Sequence, residues 1–322
     1  MRALIHIGAP KTGSTALQVS LTASREKLTE LGFLYPPLFT DEEEVNLGRF
    51  KALNEHHNAL RTLFVNDHRR NHFFSNIGLT NPQAREHWIG QRVSYLDKQL
   101  AQTQAHTCIF SGEHFIRVDD VKAFYRFFQE RFDDLQVIAY IRPPHEEYES
   151  YVQQRLKSGI PLEKLSLPQN FFSVLSTVSK DTPHRKRTPD VMRQTLQTFG
   201  DLFGYENIRV VRFSRSHLIK NSIISDFAAR FLYPDSQAGI AFPHIVANQS
   251  VSAAAAIFIS ILSSFPELQT PEGVLVRQNL AQSLLALSPS EILPKLTLSK
   301  DWKALISRVN FPTYQWIEEK FL

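Results

Sequence analysis

Short apolar runs alternate along the chain with longer segments in which apolar residues recur at helical spacing. Residues 3–7 (ALIHI) are rich in β-forming side chains, which is typical of a strand covered on both faces. Residues 14–31 place leucines at helical spacing, and Gly32 provides a stop. Further strands are predicted at 106–110, 135–141 and 208–213. Helices are predicted at about 84–102, 190–203 and 216–232. Two more are predicted, one that ends near 131 and one that begins near 144.

Strands that alternate with helices predict a mainly parallel sheet flanked by helices. We therefore expect an α/β fold, a three-layer arrangement of the P-loop type, in one domain over residues 1–322. The weaker pattern at 36–90, with an acidic run and a His/Arg-rich stretch, predicts an insertion on the substrate side. Residues 251–322 are expected to be helical. Solvated faces are the alternative interpretation of both charged runs.

Composition narrows the class of protein. The chain has 322 residues, of which 43% are hydrophobic and 21% charged, as in ordinary globular proteins. A net charge of +4 points to an anionic ligand but is too small to predict nucleic-acid binding. Cys108 is the single cysteine, so an intrachain disulfide and a cysteine metal cluster are excluded.

The sequence also bears on the location of the protein and on its metal content. The opening residues lack a signal-peptide pattern, and the longest near-apolar stretch falls short of the roughly 20 residues a membrane span needs. We expect a cytoplasmic protein without a membrane span; its oligomeric state stays open. A zinc site from His56, His57, His68 and His72 is an alternative that lacks a compact ligand motif.

The segment GAPKTGST, residues 8–15, raises the question of chemistry. Gly8 and Gly13 have the spacing of the nucleotide-triphosphatase loop, but that loop has its lysine directly after the second glycine. Here Ser14 follows, and Lys11 lies inside the loop. Loop amides and the positive end of the following helix would together cradle an anion.

A second signal follows the predicted strand 135–141. Arg142 stands where an ATP-dependent enzyme would place an acid to help hold magnesium. A cation at this edge repels a metal and attracts a phosphate, and Ser150, two turns into the next helix, can converge on the same phosphate. The alternative for Arg142 is a structural salt bridge to Glu146 or Glu149.

The motifs PKTGST and RPPHEEYES together resemble those of sulfotransferases that use 3′-phosphoadenosine 5′-phosphosulfate (PAPS). The resemblance is greatest to a bacterial branch whose chains open with a segment similar to IHIGAPKTGSTALQ. It covers most of the chain except 36–90 and the last seventy or so residues. The resemblance implies that the 3′-phosphate is bound by Arg142 and Ser150. It implies that the 5′-phosphosulfate is bound by Lys11, Thr12, Gly13, Ser14 and Thr15.

A third segment, ANQSVSAAA, is similar to the family's Asn-x-Ser-x-Ser stretch. The similarity implies that Asn248, Ser250 and Ser252 also contact the cofactor, although small polar residues before a helix are ordinary caps as well. PAPS is the expected co-substrate, and no metal is expected.

The displaced lysine acquires a role in this chemistry. Negative charge builds on the bridging oxygen of the departing nucleotide, and Lys11 with the loop amides would stabilise it. The acceptor hydroxyl needs a base, and family members use a histidine or a glutamate from a region equivalent to Glu113 and His114. We favour Glu113, because no neighbouring cation in the sequence neutralises it; the alternative is that both residues brace the next helix.

The sequence thus predicts a PAPS-dependent sulfotransferase acting on a hydroxyl or amine of a small-molecule or glycan acceptor, first of all a carbohydrate or glycolipid. A P-loop kinase using Mg-ATP is one rival, disfavoured by Ser14 and Arg142. A non-catalytic nucleotide-binding module is the other.

Overall fold

The structure, a computed structural model, describes residues 1–9, 11–40, 42–43, 53–157, 191–214, 216–233, 242, 253–262, 264–270, 272–273, 276, 279–280, 283 and 297–322. The chain divides into two compact units. We call Met1–Ile141, Gln194–Ala247 and Phe321–Leu322 the sheet unit. Arg142–Arg193 and Asn248–Lys320 form the helical unit. The expectation of one domain with a substrate-side insertion stays a prediction.

A five-stranded parallel sheet in the order β2-β3-β1-β4-β5 is the centre of the sheet unit. The α/β prediction is confirmed, and each of the four predicted strands is present. The strands are β1 Arg2–His6, β2 Phe33–Leu34, β3 Thr107–Ser111, β4 Asp134–Ile141 and β5 Ile208–Arg212. In this register His6, at the end of β1, faces Ser111 on one side and Ile138 on the other.

Helices connect the strands, as parallel pairing requires. The predicted helix at 14–31 is in fact two helices, separated by a turn at Ala23 and Ser24. The helices are α1 Ser14–Thr22, α2 Arg25–Glu30, α3 Asp67–Asn76, α4 Pro82–Gln102, α5 Val121–Gln129, α6 Pro144–Lys157, α7 Val191–Phe203, α8 Ile223–Phe227, α9 Ala253–Leu262 and α10 Lys300–Phe321.

Local chemistry fixes several helix starts. Asn81 caps α4 by accepting from the Ala84 amide at 3.0 Å, and Pro82 fills the first helical position. The predicted helix at 216–232 is shorter than expected: Ser222 caps α8, and a π-helical turn, Ala228–Leu232, follows.

The core lies on both faces of the sheet. Leu4 and Ile5 on β1 point to opposite faces, and both are fully buried. Cys108 on β3 is also fully buried, and burial raises the pKa of its thiol well above the ordinary value, which suits an inert packing residue. None of the helices described combines the length and apolarity that crossing a membrane requires.

Candidate functional site

The loop between β1 and α1 is wound through left-handed backbone conformations. Gly8 has φ 55° and Gly13 has φ 80°, values that glycine adopts without steric penalty. Lys11 has φ 64°, a conformation that costs an L-residue about 1–2 kcal/mol. The strained position is therefore the displaced lysine itself, and strain of this kind is concentrated at functional sites.

Gly8 brings this loop against the carboxyl end of β3. A Cβ at Gly8 would lie 2.7 Å from the Glu113 Cα and 3.2 Å from both the Gly112 carbonyl oxygen and the Ser14 Oγ. Only glycine permits such a close approach. The sheet unit therefore places the backbone of a predicted catalytic residue in contact with the predicted phosphate loop.

The N-terminus of α1 presents an unsatisfied polar surface. Thr12 is fully buried, and its hydroxyl donates to the Ala9 carbonyl oxygen at 2.7 Å. Ser14 is 4% exposed, and its Oγ makes no hydrogen bond to the residues that the structure describes. Gly13 precedes the helix and offers no side-chain cap. A helix start without a side-chain cap, beside a buried hydroxyl that has no partner among the described residues, suits an anion.

The remaining two loop residues differ in exposure. Lys11 is partly buried, whereas Thr15 is exposed on the first turn of α1. Residues Lys11, Thr12, Gly13, Ser14 and Thr15 thus share one loop and helix start, as predicted. Their contact with a nucleotide stays a prediction.

Beneath the loop, a buried hydroxyl links three elements. The Ser111 Oγ lies 2.7 Å from the His6 Nδ1 and accepts from the Gln18 Nε2 at 3.1 Å, joining β3, β1 and α1. Burial lowers the pKa of His6 to about 4, so its ring is neutral at neutral pH. These hydrogen bonds were not predicted from the sequence, in which the one sign of them is a serine directly after an apolar run.

Glu113 and His114 are both partly buried, in the turn that follows β3. Within the part of the chain described, the Glu113 carboxylate makes no hydrogen bond or ion pair. The His114 amide donates to the Asn58 Oδ1 at 3.3 Å. The His114 side chain does not cap the 3₁₀ turn Phe115–Arg117. The His114 carbonyl oxygen accepts from the Arg117 amide at 2.9 Å, so its backbone helps to hold this turn, and the bracing alternative stays a prediction.

The surroundings of His114 make it a poor base. Burial, followed by the neighbouring Arg61 and Arg117 cations, lowers its pKa to about 3. The imidazole is therefore neutral at neutral pH but binds a proton weakly.

Arg142 and Ser150 belong to the helical unit, whereas the phosphate loop belongs to the sheet unit. Both residues are partly buried, and the Arg142 carbonyl oxygen accepts from the Tyr314 hydroxyl. Glu149, one proposed partner for Arg142, instead lies 2.9 Å from the Lys303 Nζ and accepts from the Leu298 amide at 2.9 Å. Binding of the same cofactor by Arg142, Ser150 and the loop stays a prediction.

Two sets of predicted positions are left, the third cofactor motif and the alternative zinc ligands. Asn248, Ser250 and Ser252 lie outside the described residues. Of the alternative zinc ligands, His57 uses both ring nitrogens on the backbone: Nε2 donates to the Pro36 carbonyl oxygen at 2.9 Å, and Nδ1 accepts from the Ser111 amide at 3.0 Å. The described ranges hold no group of three or more His, Cys, Asp or Glu placed to bind a metal ion.

Comparison with known proteins finds no family model that matches this sequence and no curated protein that matches it.

Proposed function

We propose that this protein is a PAPS-dependent sulfotransferase that transfers the sulfuryl group to a hydroxyl or amine of a carbohydrate or glycolipid acceptor. The observation that supports the proposal best is the buried Ser14 hydroxyl, which has no partner among the described residues and lies at the N-terminus of α1 beside the strained Lys11. A phosphosulfate oxygen is the type of group that would satisfy it.

Donor binding is divided between the two motifs. The loop amides, Lys11 and Ser14 would hold the 5′-phosphosulfate, and Thr12 and Gly13 shape the loop. In this proposal Arg142 and Ser150 bind the 3′-phosphate, assisted by Asn248 and Ser250. A cytoplasmic location, in keeping with a single buried thiol, is part of the proposal.

Each residue of the site has a defined chemical task. The acceptor oxygen attacks sulfur, its proton passes to the base, and the bond from sulfur to the bridging oxygen breaks. The Lys11 ammonium and the loop amides stabilise the charge that builds on that bridging oxygen. The products are the sulfated acceptor and adenosine 3′,5′-bisphosphate.

Glu113 is the base in this proposal. Burial and the neighbouring arginines lower the pKa of His114 to about 3, which disfavours the protonated form of its ring. The Glu113 backbone, in contrast, touches the loop that would hold the sulfuryl group.

We expect Glu113→Gln to lower transfer of ³⁵S-labelled sulfuryl from PAPS to glycoside acceptors by about 100-fold or more, the scale of general-base catalysis. His114→Gln, its matched neighbour, should lower transfer by less. Equal transfer by the Glu113 variant and the unmodified protein would rule out Glu113 as the base. Tight binding of the bisphosphate without transfer to any acceptor would favour the non-catalytic module.

A further inference from the structure

The insertion segment packs against the turn after β3, and Arg61 and Arg69 of that segment, together with Arg117 of the turn, surround His114. The His114 amide bonds to Asn58 of that segment at 3.3 Å, and the Arg117 amide bonds to the His114 carbonyl oxygen at 2.9 Å. Arg61, Arg69 and Arg117 all lie near enough to act on the charge of His114. We call these three side chains the arginine cluster.

The carboxylate of Asp119 contacts the arginine cluster through Arg69. The Arg69 Nη1 lies 3.3 Å from the Asp119 Oδ1 and donates to the Arg117 carbonyl oxygen at 2.6 Å. Asp119 also accepts from the Asn66 amide at 3.0 Å, so it is already shared between two donors.

Arg61 is the member of the arginine cluster whose side chain is least well satisfied by the described residues. Its side chain is partly buried, its Nε is fully enclosed without a hydrogen bond, and its guanidinium makes no hydrogen bond or ion pair with the described residues. Burial and the neighbouring Arg69 lower its pKa to about 10, and Asp119 partly opposes this shift. A charge partly withdrawn from water is costly unless it is paired, and the described residues supply Arg61 with no hydrogen bond or ion pair.

The position of the arginine cluster indicates which kind of ligand would supply a negative charge to it. His114 is adjacent to Glu113, whose backbone contacts the phosphate loop at Gly8. The cluster therefore lies beside the turn that carries the predicted base, Glu113. Guanidinium groups match the planar, two-oxygen geometry of a carboxylate.

We propose that the arginine cluster binds an anionic group of the acceptor, and that the acceptor is an acidic saccharide with a carboxylate on the sugar. Anion binding by Arg61 follows from the geometry of the sheet unit alone, whereas its role in placing an acceptor rests on the proposed sulfotransferase activity.

The test compares two glycosides that differ in one group. p-Nitrophenyl β-D-glucuronide carries a carboxylate where p-nitrophenyl β-D-glucoside carries a hydroxymethyl group, and each is titrated calorimetrically into the full chain. We expect the glucuronide to bind about 10-fold or more tightly than the glucoside, the scale of a hydrogen bond to a charged group. Arg61→Gln should abolish this preference, and Arg61→Lys should retain part of it, because the charge is kept.

The controls separate a local effect from unfolding and from failure of the donor site. Arg126→Gln removes an exposed arginine from α5 and should leave the preference intact. Thermal unfolding verifies that each variant folds. Equal binding of the two glycosides, or a preference that Arg61→Gln does not change, would overturn the inference even if adenosine bisphosphate binds. Arg61-dependent glucuronide binding without bisphosphate binding would uphold the anion site and remove the sulfotransferase assignment.

Discussion

At the scale of single residues, Lys11 combines two unusual properties. It occupies a left-handed conformation at φ 64° that glycine would adopt more easily, and it lies within a loop whose usual lysine follows the second glycine. A fold under selection for stability alone would place glycine here. We infer that the Lys11 side chain is kept for function at a cost in stability.

Replacing Lys11 separates its two roles. We expect Lys11→Ala and Lys11→Gly each to lower sulfuryl transfer by about 100-fold or more, because both lose the ammonium group. Lys11→Gly should nevertheless be more stable than Lys11→Ala by about 1 kcal/mol, since glycine relieves the left-handed strain. Urea unfolding measures the second difference. Equal stability of the two variants would show that the backbone at this position is not strained.

At the scale of elements, the contact between the β1 loop and the turn after β3 holds the site together. Sheet order makes β1 and β3 neighbours, and their carboxyl ends meet at Gly8 and Glu113. The hydroxyl of Ser111 fixes the same junction from below, through His6 and Gln18.

A methyl group at Gly8 tests this junction. Gly8→Ala would force a Cβ to within 2.7 Å of the Glu113 backbone in a left-handed conformation. We expect a loss of about 1–3 kcal/mol in the free energy of unfolding, the usual cost of overpacking, together with reduced transfer. Gly90→Ala is the matched control, because a Cβ at Gly90, in α4, meets nothing within 4 Å. That variant should be as stable as the unmodified chain or slightly more so. An unaffected Gly8→Ala variant would contradict the close approach.

The four longer strands were predictable at this scale because each is a short run in which apolar residues predominate, although β5 also contains two exposed arginines. β2 was not, since its two residues, Phe33 and Leu34, are too few for a pattern. The break at Ala23 and Ser24 was also missed, because the leucine spacing continues across it.

The parts of the candidate site also differ in how well the sequence predicts them. Lys11 and its loop could be identified because their chemistry is local in sequence. The close approach of Gly8 to the Glu113 backbone and the position of Arg61 near His114 could not be identified in this detail, because no sequence pattern records the packing of distant segments.

At the scale of the whole molecule, buried histidines make the fold sensitive to acid. Burial lowers the pKa of His6 to about 4 and that of His57 to about 3, and both side chains are essentially fully enclosed. An unfolded histidine has a pKa near 6.5, so between these values the unfolded chain binds more protons than the folded one. Stability therefore falls as the pH decreases from about 6.5 toward 4.

Removing one of these buried histidines should make the free energy of unfolding depend less on pH. Each buried histidine contributes a slope of about 1.4 kcal/mol per pH unit below pH 6. We expect His6→Asn to lower the slope of the unfolding free energy by about one proton between pH 5 and 6. Urea unfolding at a series of pH values gives the slope. His68→Asn, at an exposed position of α3, should leave it unchanged, and an unchanged slope in His6→Asn would show that His6 is not held neutral.

The central claim concerns the nucleotide, and calorimetric titration tests it most directly. Adenosine 3′,5′-bisphosphate, ADP and ATP are each titrated with and without magnesium into the unmodified protein, Arg142→Ala and Arg209→Ala, the last an exposed strand arginine as control. We predict tight, metal-independent binding of the bisphosphate that weakens by about 1.5 to 3 kcal/mol in Arg142→Ala alone. Preference for magnesium ATP, with no effect of the Arg142 change, would contradict the sulfotransferase assignment and favour a kinase.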